Sequence, residues 1–484
     1  MREHLKRLGA ESIVYGIGQV GGRAVQLLLV PVLTRALTPQ AFGISELVAG
    51  YSQTALLVLV MGMDGALARF FYQEPHREAR IRMVSSSLVF RVAVGLAAAA
   101  AIALGAGPLS AGLLSGEAYR KYLMIGAATM PFTLLVMFGN DVLRVTFQPW
   151  KFISLNLVQT VLTTAMALYF VLARHAGVVG VLYGRLIGDG AAPLLALVLI
   201  RHSLAPRFSR ATLRRMLGYG VPLIPASFAF GLIAGMDRYF MQRTRTLEEV
   251  AVYAVALKFF AVVTIAASAF QLAYGPFAYA RAQSSEAPRL YARVFGAYTA
   301  VGSLGALLVA SFVPDALRVL VPSAYAGAAF PALWLAFAAV ALGAYTVTSI
   351  GIGLALKTRW LGFCAGGALA VTVAAHALLT PRFGGPGAGI ATFLGYATAA
   401  WLTYRVAQHV HPLPFRGGRA VLVFGLALGL ALAVQRFAPA GVARVAVKLV
   451  AAAAFAACCV MLEMHRDRGA VAPGWQAGDR PAIG

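Results

Sequence analysis

The stretch Met83-Val-Ser-Ser-Ser-Leu-Val-Phe-Arg-Val-Ala-Val-Gly-Leu-Ala-Ala-Ala-Ala-Ala-Ile-Ala-Leu-Gly-Ala-Gly107 carries one charge, Arg91, in 25 residues. Wound as a helix it is about 37 Å long at about 1.5 Å per residue, more than the roughly 30 Å of hydrocarbon in a bilayer. Runs of the same kind recur along the whole 484-residue chain, which is 60% hydrophobic and 12% charged; an average soluble domain is about 25% charged. Backbone N–H and C=O groups have no water to bond inside lipid, so such runs must be helical. The composition excludes a soluble enzyme and predicts an all-α polytopic membrane protein.

From this stretch outward, the apolar runs place fourteen spans, at 12–36, 42–63, 83–107, 120–140, 152–173, 178–202, 217–236, 250–274, 293–313, 328–350, 361–380, 387–407, 419–437 and 443–462. The basic start, Met1 to Arg7, leads into a long apolar run with no small-residue cleavage pattern, so span 1 is expected to stay attached. The net charge of +24 sits in short segments between spans, which predicts membrane topology and anionic-lipid contact, with no nucleic-acid partner. With the N-terminus inside, the cytoplasmic segments hold 25 of the 41 Lys and Arg, the opposite side 11 and the spans five. Cytoplasmic loops carry the excess in known membrane proteins, so both termini are expected in the cytoplasm, across a bacterial inner membrane. Arg238, Arg243 and Arg245 run against the bias. Cys364, Cys458 and Cys459 all lie in apolar segments, which argues against a disulfide framework or a zinc site.

Polar groups inside spans are costly and rarely face lipid. In span 1, Tyr15, Gln19, Arg23 and Gln26 recur every three or four residues and share one helix face. Arg23 lies about 16 to 18 Å from either end, too deep to reach water, so it needs a hydrated cavity or a carboxylate partner. A guanidinium so placed can hold a pyrophosphate through paired charged hydrogen bonds. Arg185 and Asp189 in span 6 are four residues apart and can neutralise each other; a structural pair and a coupling or substrate role both fit. Asp189 is read as the one deeply placed acid and hence the coupling candidate. Asn156 heads a stripe with Gln159, Thr160, Thr163 and Thr164 in span 5, suited to sugar hydroxyls and equally to helix packing. Arg91 is expected to snorkel to the interface, and Glu46, Asp64 and Asp237 to be ordinary interfacial charges near span ends. Phe70, Phe71 and Tyr72 beside Arg69, Arg77 and Arg80 mark an amphipathic loop segment. Pro31, Pro222 and Pro225 are candidate hinges, since proline breaks or kinks a helix.

A weak repeat appears at an offset of 208 residues: Thr38-Pro-Gln-Ala-Phe-Gly-Ile-Ser-Glu-Leu47 aligns with Thr246-Leu-Glu-Glu-Val-Ala-Val-Tyr-Ala-Val255. Two parallel six-helix lobes are expected, 1–202 and 203–410, followed by helices 13 and 14 in 411–462 and a cytoplasmic tail, 463–484, with a transport path between the lobes.

Several segments in order resemble the polysaccharide and O-antigen flippase family: Tyr15-Gly-Ile-Gly-Gln19, Leu33-Thr-Arg-Ala-Leu-Thr-Pro-Gln-Ala-Phe-Gly43, Gly62-Met-Asp-Gly-Ala-Leu-Ala-Arg-Phe-Phe-Tyr72, Tyr219-Gly-Val-Pro-Leu-Ile-Pro225 and Met236-Asp-Arg-Tyr-Phe240. The resemblance covers residues 12 to about 410. It implies membership of the multidrug/oligosaccharidyl-lipid/polysaccharide exporter superfamily, lobes arranged in a V, alternating access, and a polyprenyl-pyrophosphate-linked oligosaccharide as substrate. It also implies a second cavity cation, Lys258 in span 8, because spans 1 and 8 both supply cavity cations in the related lipid II flippases. A monomer surrounded by membrane lipids is expected, with polysaccharide polymerase machinery as a candidate partner and with no cofactor.

Other function classes leave weaker marks. A drug or small-solute antiporter of the same superfamily favours cavity carboxylates over cations. A membrane polymerase or ligase carries a sizeable outer loop with catalytic residues, and no loop here is long enough for a separate domain. Gly16, Gly18 and Gly21 match a dinucleotide fingerprint, but within a membrane span and with no preceding strand.

Overall fold

The structure, a computed structural model, describes residue 25 and residues 29–114, 116, 119–221, 224–280, 284–355, 357, 359–437 and 443–467. Among these the regular structure is all helical, without a strand. We number the helices α1 (29–36), α2 (Pro39–Leu59), α3 (Met63–Gln73), α4 (Arg77–Leu104), α5 (Ala106–Leu114), α6 (Arg120–Val145), α7 (Pro149–Leu168), α8 (Gly177–Ile200), α9 (Arg210–Gly220), α10 (Ile224–Ile233), α11 (Met236–Thr244), α12 (Leu247–Ala280), α13 (Ala287–Leu320), α14 (Ala329–Leu354), α15 (Arg359–Phe383), α16 (Gly385–Val410), α17 (Gly417–Phe437) and α18 (Ala443–Asp467).

Ten helices among the described residues are long and apolar enough to cross a membrane, so fourteen spans are matched at ten. Span 1 falls mostly outside the described residues, and spans 8 and 12 lie within α12 and α16, which are outside that count. Span 7 is corrected. Instead of one helix over 217–236, the chain forms α9, α10 and α11 in succession. Ser209 starts α9 by accepting a hydrogen bond from the Thr212 N–H at 3.2 Å, which turns much of the expected basic loop into helix. Pro225 is the second residue of α10, Pro31 lies within α1, and Pro222 lies outside the described residues.

The two halves start their helices in step. Pro39 and Leu247, Arg77 and Ala287, Arg120 and Ala329, Pro149 and Arg359, and Gly177 and Gly385 open α2/α12, α4/α13, α6/α14, α7/α15 and α8/α16, at offsets of 208 to 210 residues. Local chemistry repeats with them. Thr38 Oγ1 accepts from the Ala41 N–H at 3.3 Å and Thr246 Oγ1 from the Glu249 N–H at 3.4 Å, so both helices start on a threonine cap. Gly188 of α8 lies against Thr163 of α7 so closely that a Cβ would strike its Oγ1, and Gly395 of α16 meets Thr372 of α15 the same way. Small residues at such crossings let backbones approach where no hydrophobic effect drives helices together.

Packing forms two groups of helices. In one, α6 packs between α4 and α8, and α7 lies on the other side of α8; in the other, α14 lies at the centre, against α12, α13 and α16. Leu335, Ala336, Phe337, Ala338, Ala339, Val340 and Ala341 of α14 are all buried, as befits a helix surrounded by others. The pair α17 and α18 docks on α13. Gln435 donates to the Ala310 and Ala329 carbonyls at 2.9 and 3.3 Å. Lys448, buried inside span 14, pairs with Asp315 of α13, and Arg444 lies 3.6 Å from the same carboxylate. The two groups touch where α2 meets α12, around a core holding Leu33, Phe42 and Leu47 with Val250, Ala251 and Val255.

Candidate functional site

A cavity of about 770 Å³ opens between these groups, lined from α1, α2, α6, α7, α8, α10, α11 and α12. Its polar wall follows from helix periodicity. Asn156, Gln159, Thr160, Thr163 and Thr164 lie on one side of α7, and all five line it. Arg185 and Asp189 of α8, Asn140, Asp141 and Arg144 of α6, Glu46 of α2, Arg238 of α11 and Lys258 of α12 complete the charged and amide lining.

Asp189 is 4% exposed and held chiefly by neutral donors: Thr133 Oγ1 donates to Oδ2 at 2.9 Å and Gln159 Nε2 to Oδ1 at 2.8 Å. Arg185 Nε stands 3.6 Å from Oδ2, beyond hydrogen-bond length, with its side chain 28% exposed. Asp189 thus ties α6 and α7 to α8 while Arg185 keeps most of its donors for the cavity. Asn140 and Asn156 exchange amide hydrogen bonds at 3.3 and 2.8 Å, and Asn156 also donates to the Phe152 carbonyl.

Arg91 does not snorkel. It is fully buried, and its Nη2 donates to Asp141 Oδ2 at 2.6 Å across α4 and α6. A buried guanidinium needs a carboxylate to balance its charge, and Asp141 is that carboxylate. Nor is Glu46 an ordinary interfacial charge, because both its oxygens accept from Lys258 Nζ, at 2.7 and 2.8 Å. Asp237 is likewise buried, accepting from the Arg238 N–H at 2.7 Å. Asp189 is therefore not the one deep acid; Glu46 and Asp141 share its cavity. Among the described residues Arg144 forms neither a hydrogen bond nor an ion pair through its side chain. Arg238 bonds the Ala234 carbonyl at 3.1 Å.

Of the residues predicted from sequence, Arg185, Asp189, Asn156 and Lys258 meet in this one cavity, although 102 positions separate Asn156 from Lys258. Gln19, Arg23 and Gln26 lie outside the described residues. Sequence reasoning missed Asp141, Arg144 and Arg238. The first two follow directly on span 4 as drawn to residue 140, whereas α6 runs on to Val145; a span extended by one turn would have exposed an Asp141/Arg144 pair at helical spacing. No group of three or more His, Cys, Asp or Glu able to hold a metal occurs among the described residues.

The profile of the polysaccharide biosynthesis protein family matches residues 8–277. Protein 1 of the Lsg locus of Haemophilus influenzae is 22% identical over 278 residues, 56% of this chain and 65% of that protein, so the chain spans just under two thirds of this relative's length. Among solved structures, the lipid II flippase MurJ in its inward closed conformation superposes with a TM-score of 0.73 at 11% identity, covering 94% of this chain and 99% of that one. The bent form of the Vibrio cholerae MATE transporter VcmN gives 0.58 at 14% identity, over 84% and 97%. At these identities the likeness is one of fold, that of a multi-pass membrane protein. The family match takes in every residue that lines the cavity, from Leu29 on α1 to Lys258 on α12, and by it this chain belongs to the polysaccharide biosynthesis protein family.

Proposed function

We infer that the protein is a flippase that moves a polyprenyl-pyrophosphate-linked oligosaccharide from the cytoplasmic to the periplasmic leaflet of a bacterial inner membrane by alternating access. The observation that carries this reading is the cavity lining, where Arg144, Arg185, Arg238 and Lys258 stand with an amide- and hydroxyl-bearing face of α7 between two helix groups. Cations of this number suit a diphosphate, and Asn156, Gln159 and the threonines suit sugar hydroxyls. No covalent chemistry is needed. The test is complementation of a strain lacking its own lipid-linked oligosaccharide flippase. Arg185→Ala should abolish surface glycan at normal membrane abundance, and full export by that variant would remove this cavity from the glycan path.

One observation favours a second reading, export of an organic cation by exchange. Three carboxylates, Glu46, Asp141 and Asp189, line the cavity. Two of them are paired with Lys258 and Arg91, so the first reading is preferred. Cation efflux from vesicles that disappears in Asp189→Asn, with glycan export unaffected, would reverse the order.

A further inference from the structure

We propose that Glu46 is a built-in competitor for the anion Lys258 receives, so that the cavity admits ligands bearing two adjacent phosphoryl groups and turns away single anions. This rests on the anionic-substrate reading above.

The cavity holds cations in two conditions. Arg185 has one loose carboxylate neighbour at 3.6 Å, whose own oxygens are engaged by Thr133 and Gln159, and Arg144 makes no direct ion pair among the described residues, its neighbour Asp141 already accepting from Arg91. These are open. Lys258 is closed: Glu46 takes it with both oxygens, at 2.7 and 2.8 Å. Yet the pair is not sealed in. Glu46 and Lys258 keep 20% and 28% of their side-chain surface, and both line the cavity. A hydrated ion pair contributes little to holding helices together, about 0 to 1 kcal/mol, so it is poor glue and is readily exchanged.

Exchange has a charge requirement. Glu46 is tethered on α2 beside Lys258, which gives it an effective concentration of the order of millimolar or above. A free anion of one charge that displaces it swaps one attraction for an equal one and forfeits the tether. A diphosphate brings further charge on a second phosphoryl group, which has an open arginine to meet in the same cavity. The attraction it gains there has no counterpart in the resting state. The displaced pair is also the cavity-side ionic contact between α2 and α12, helices of different groups. Occupation by the right ligand thus breaks this one ionic contact, while a single phosphate leaves it made; the apolar packing of α2 on α12 is untouched by either.

The experiment uses full-length protein in lipid nanodiscs, with inorganic pyrophosphate and orthophosphate as calorimetric probes. The parent protein should bind pyrophosphate and prefer it strongly. Glu46→Gln, close in size and uncharged, should bind orthophosphate about tenfold more tightly than the parent, equivalent to about 1.4 kcal/mol regained at Lys258, and lose most of the preference. The double variant Glu46→Gln/Lys258→Gln should lose that gain. An unchanged preference in Glu46→Gln, or a gain that persists in the double variant, overturns the competition while leaving the anion-binding reading intact. Failure of both probes to bind both the parent and Glu46→Gln overturns the two together.

Discussion

Gln40 and Glu248 are equivalent positions of the repeat, 208 residues apart, and the Gln40 side-chain amide donates to the Glu248 carboxylate. The two equivalent helices, α2 and α12, therefore meet at their starts. Three residues further on, Gly43 is pressed against the Leu247 carbonyl oxygen, where a Cβ would come within 2.5 Å. The two helices approach closely at this end.

Movement of the lobes should therefore be arrested by a covalent link at that point. The double variant Gln40→Cys/Glu248→Cys, oxidised to a disulfide, should lose glycan export and recover it on reduction, scored in a complemented strain or in proteoliposomes. Full export by the cross-linked protein would mean that the lobes stay together here throughout turnover.

Arg91 and Asp141 make a pair in which either partner alone is a liability. Arg91→Ala leaves the Asp141 carboxylate without the guanidinium that balances it, and breaking a buried pair from one side costs about 3 to 5 kcal/mol. We expect lower membrane abundance and a lower melting temperature by fluorescence-detected size exclusion. Arg91→Leu/Asp141→Leu, which removes both charges, should recover most of the loss. If the double variant is no better than Arg91→Ala, the charge balance is not what holds α4 to α6.

Asp189 tests coupling. Asparagine keeps an oxygen for Thr133 or Gln159, so Asp189→Asn should insert and fold normally; with its titratable charge gone, transport should no longer respond to an imposed proton or sodium gradient. A response equal to that of the parent would confine Asp189 to cross-bracing α6, α7 and α8.

Topology rests on the distribution of the 41 basic residues. Reporter fusions after Arg7, Arg210 and Arg468 should report the cytoplasm, and one after Glu117 the periplasm. A periplasmic signal from the C-terminal fusion would remove one crossing from the chain.

What could be read from the sequence divides by range. Apolar length and cap residues are local, so α4 and α6 to α8 fall close to their expected bounds, and the aligned Thr38 and Thr246 both cap helix starts. Partners are not local. Nothing within a turn of Arg91 announces Asp141 fifty positions on, and nothing beside Glu46 announces Lys258. Each was assigned to the interface because the chain gives depth along a helix and not which neighbour that helix faces. Span 7 differs for another reason: its hydropathy is continuous, while the backbone turns at Ala234 and Gly235 between α10 and α11.

The doubled architecture conceals a division of labour. Counted 208 residues on from Arg185 and Asp189 are Phe393 and Ala397, and the 209-residue offset of α6 to α14 sets Asn140, Asp141 and Arg144 against Ser349, Ile350 and Gly353. Both halves kept the helical frame, but the amide- and hydroxyl-bearing face and all three carboxylates of the cavity come from the first, while the second contributes the cations Arg238 and Lys258. A chain fused from two copies of the first half would bring two sets of like charges into one chamber, so the halves are no longer interchangeable although their frames still match.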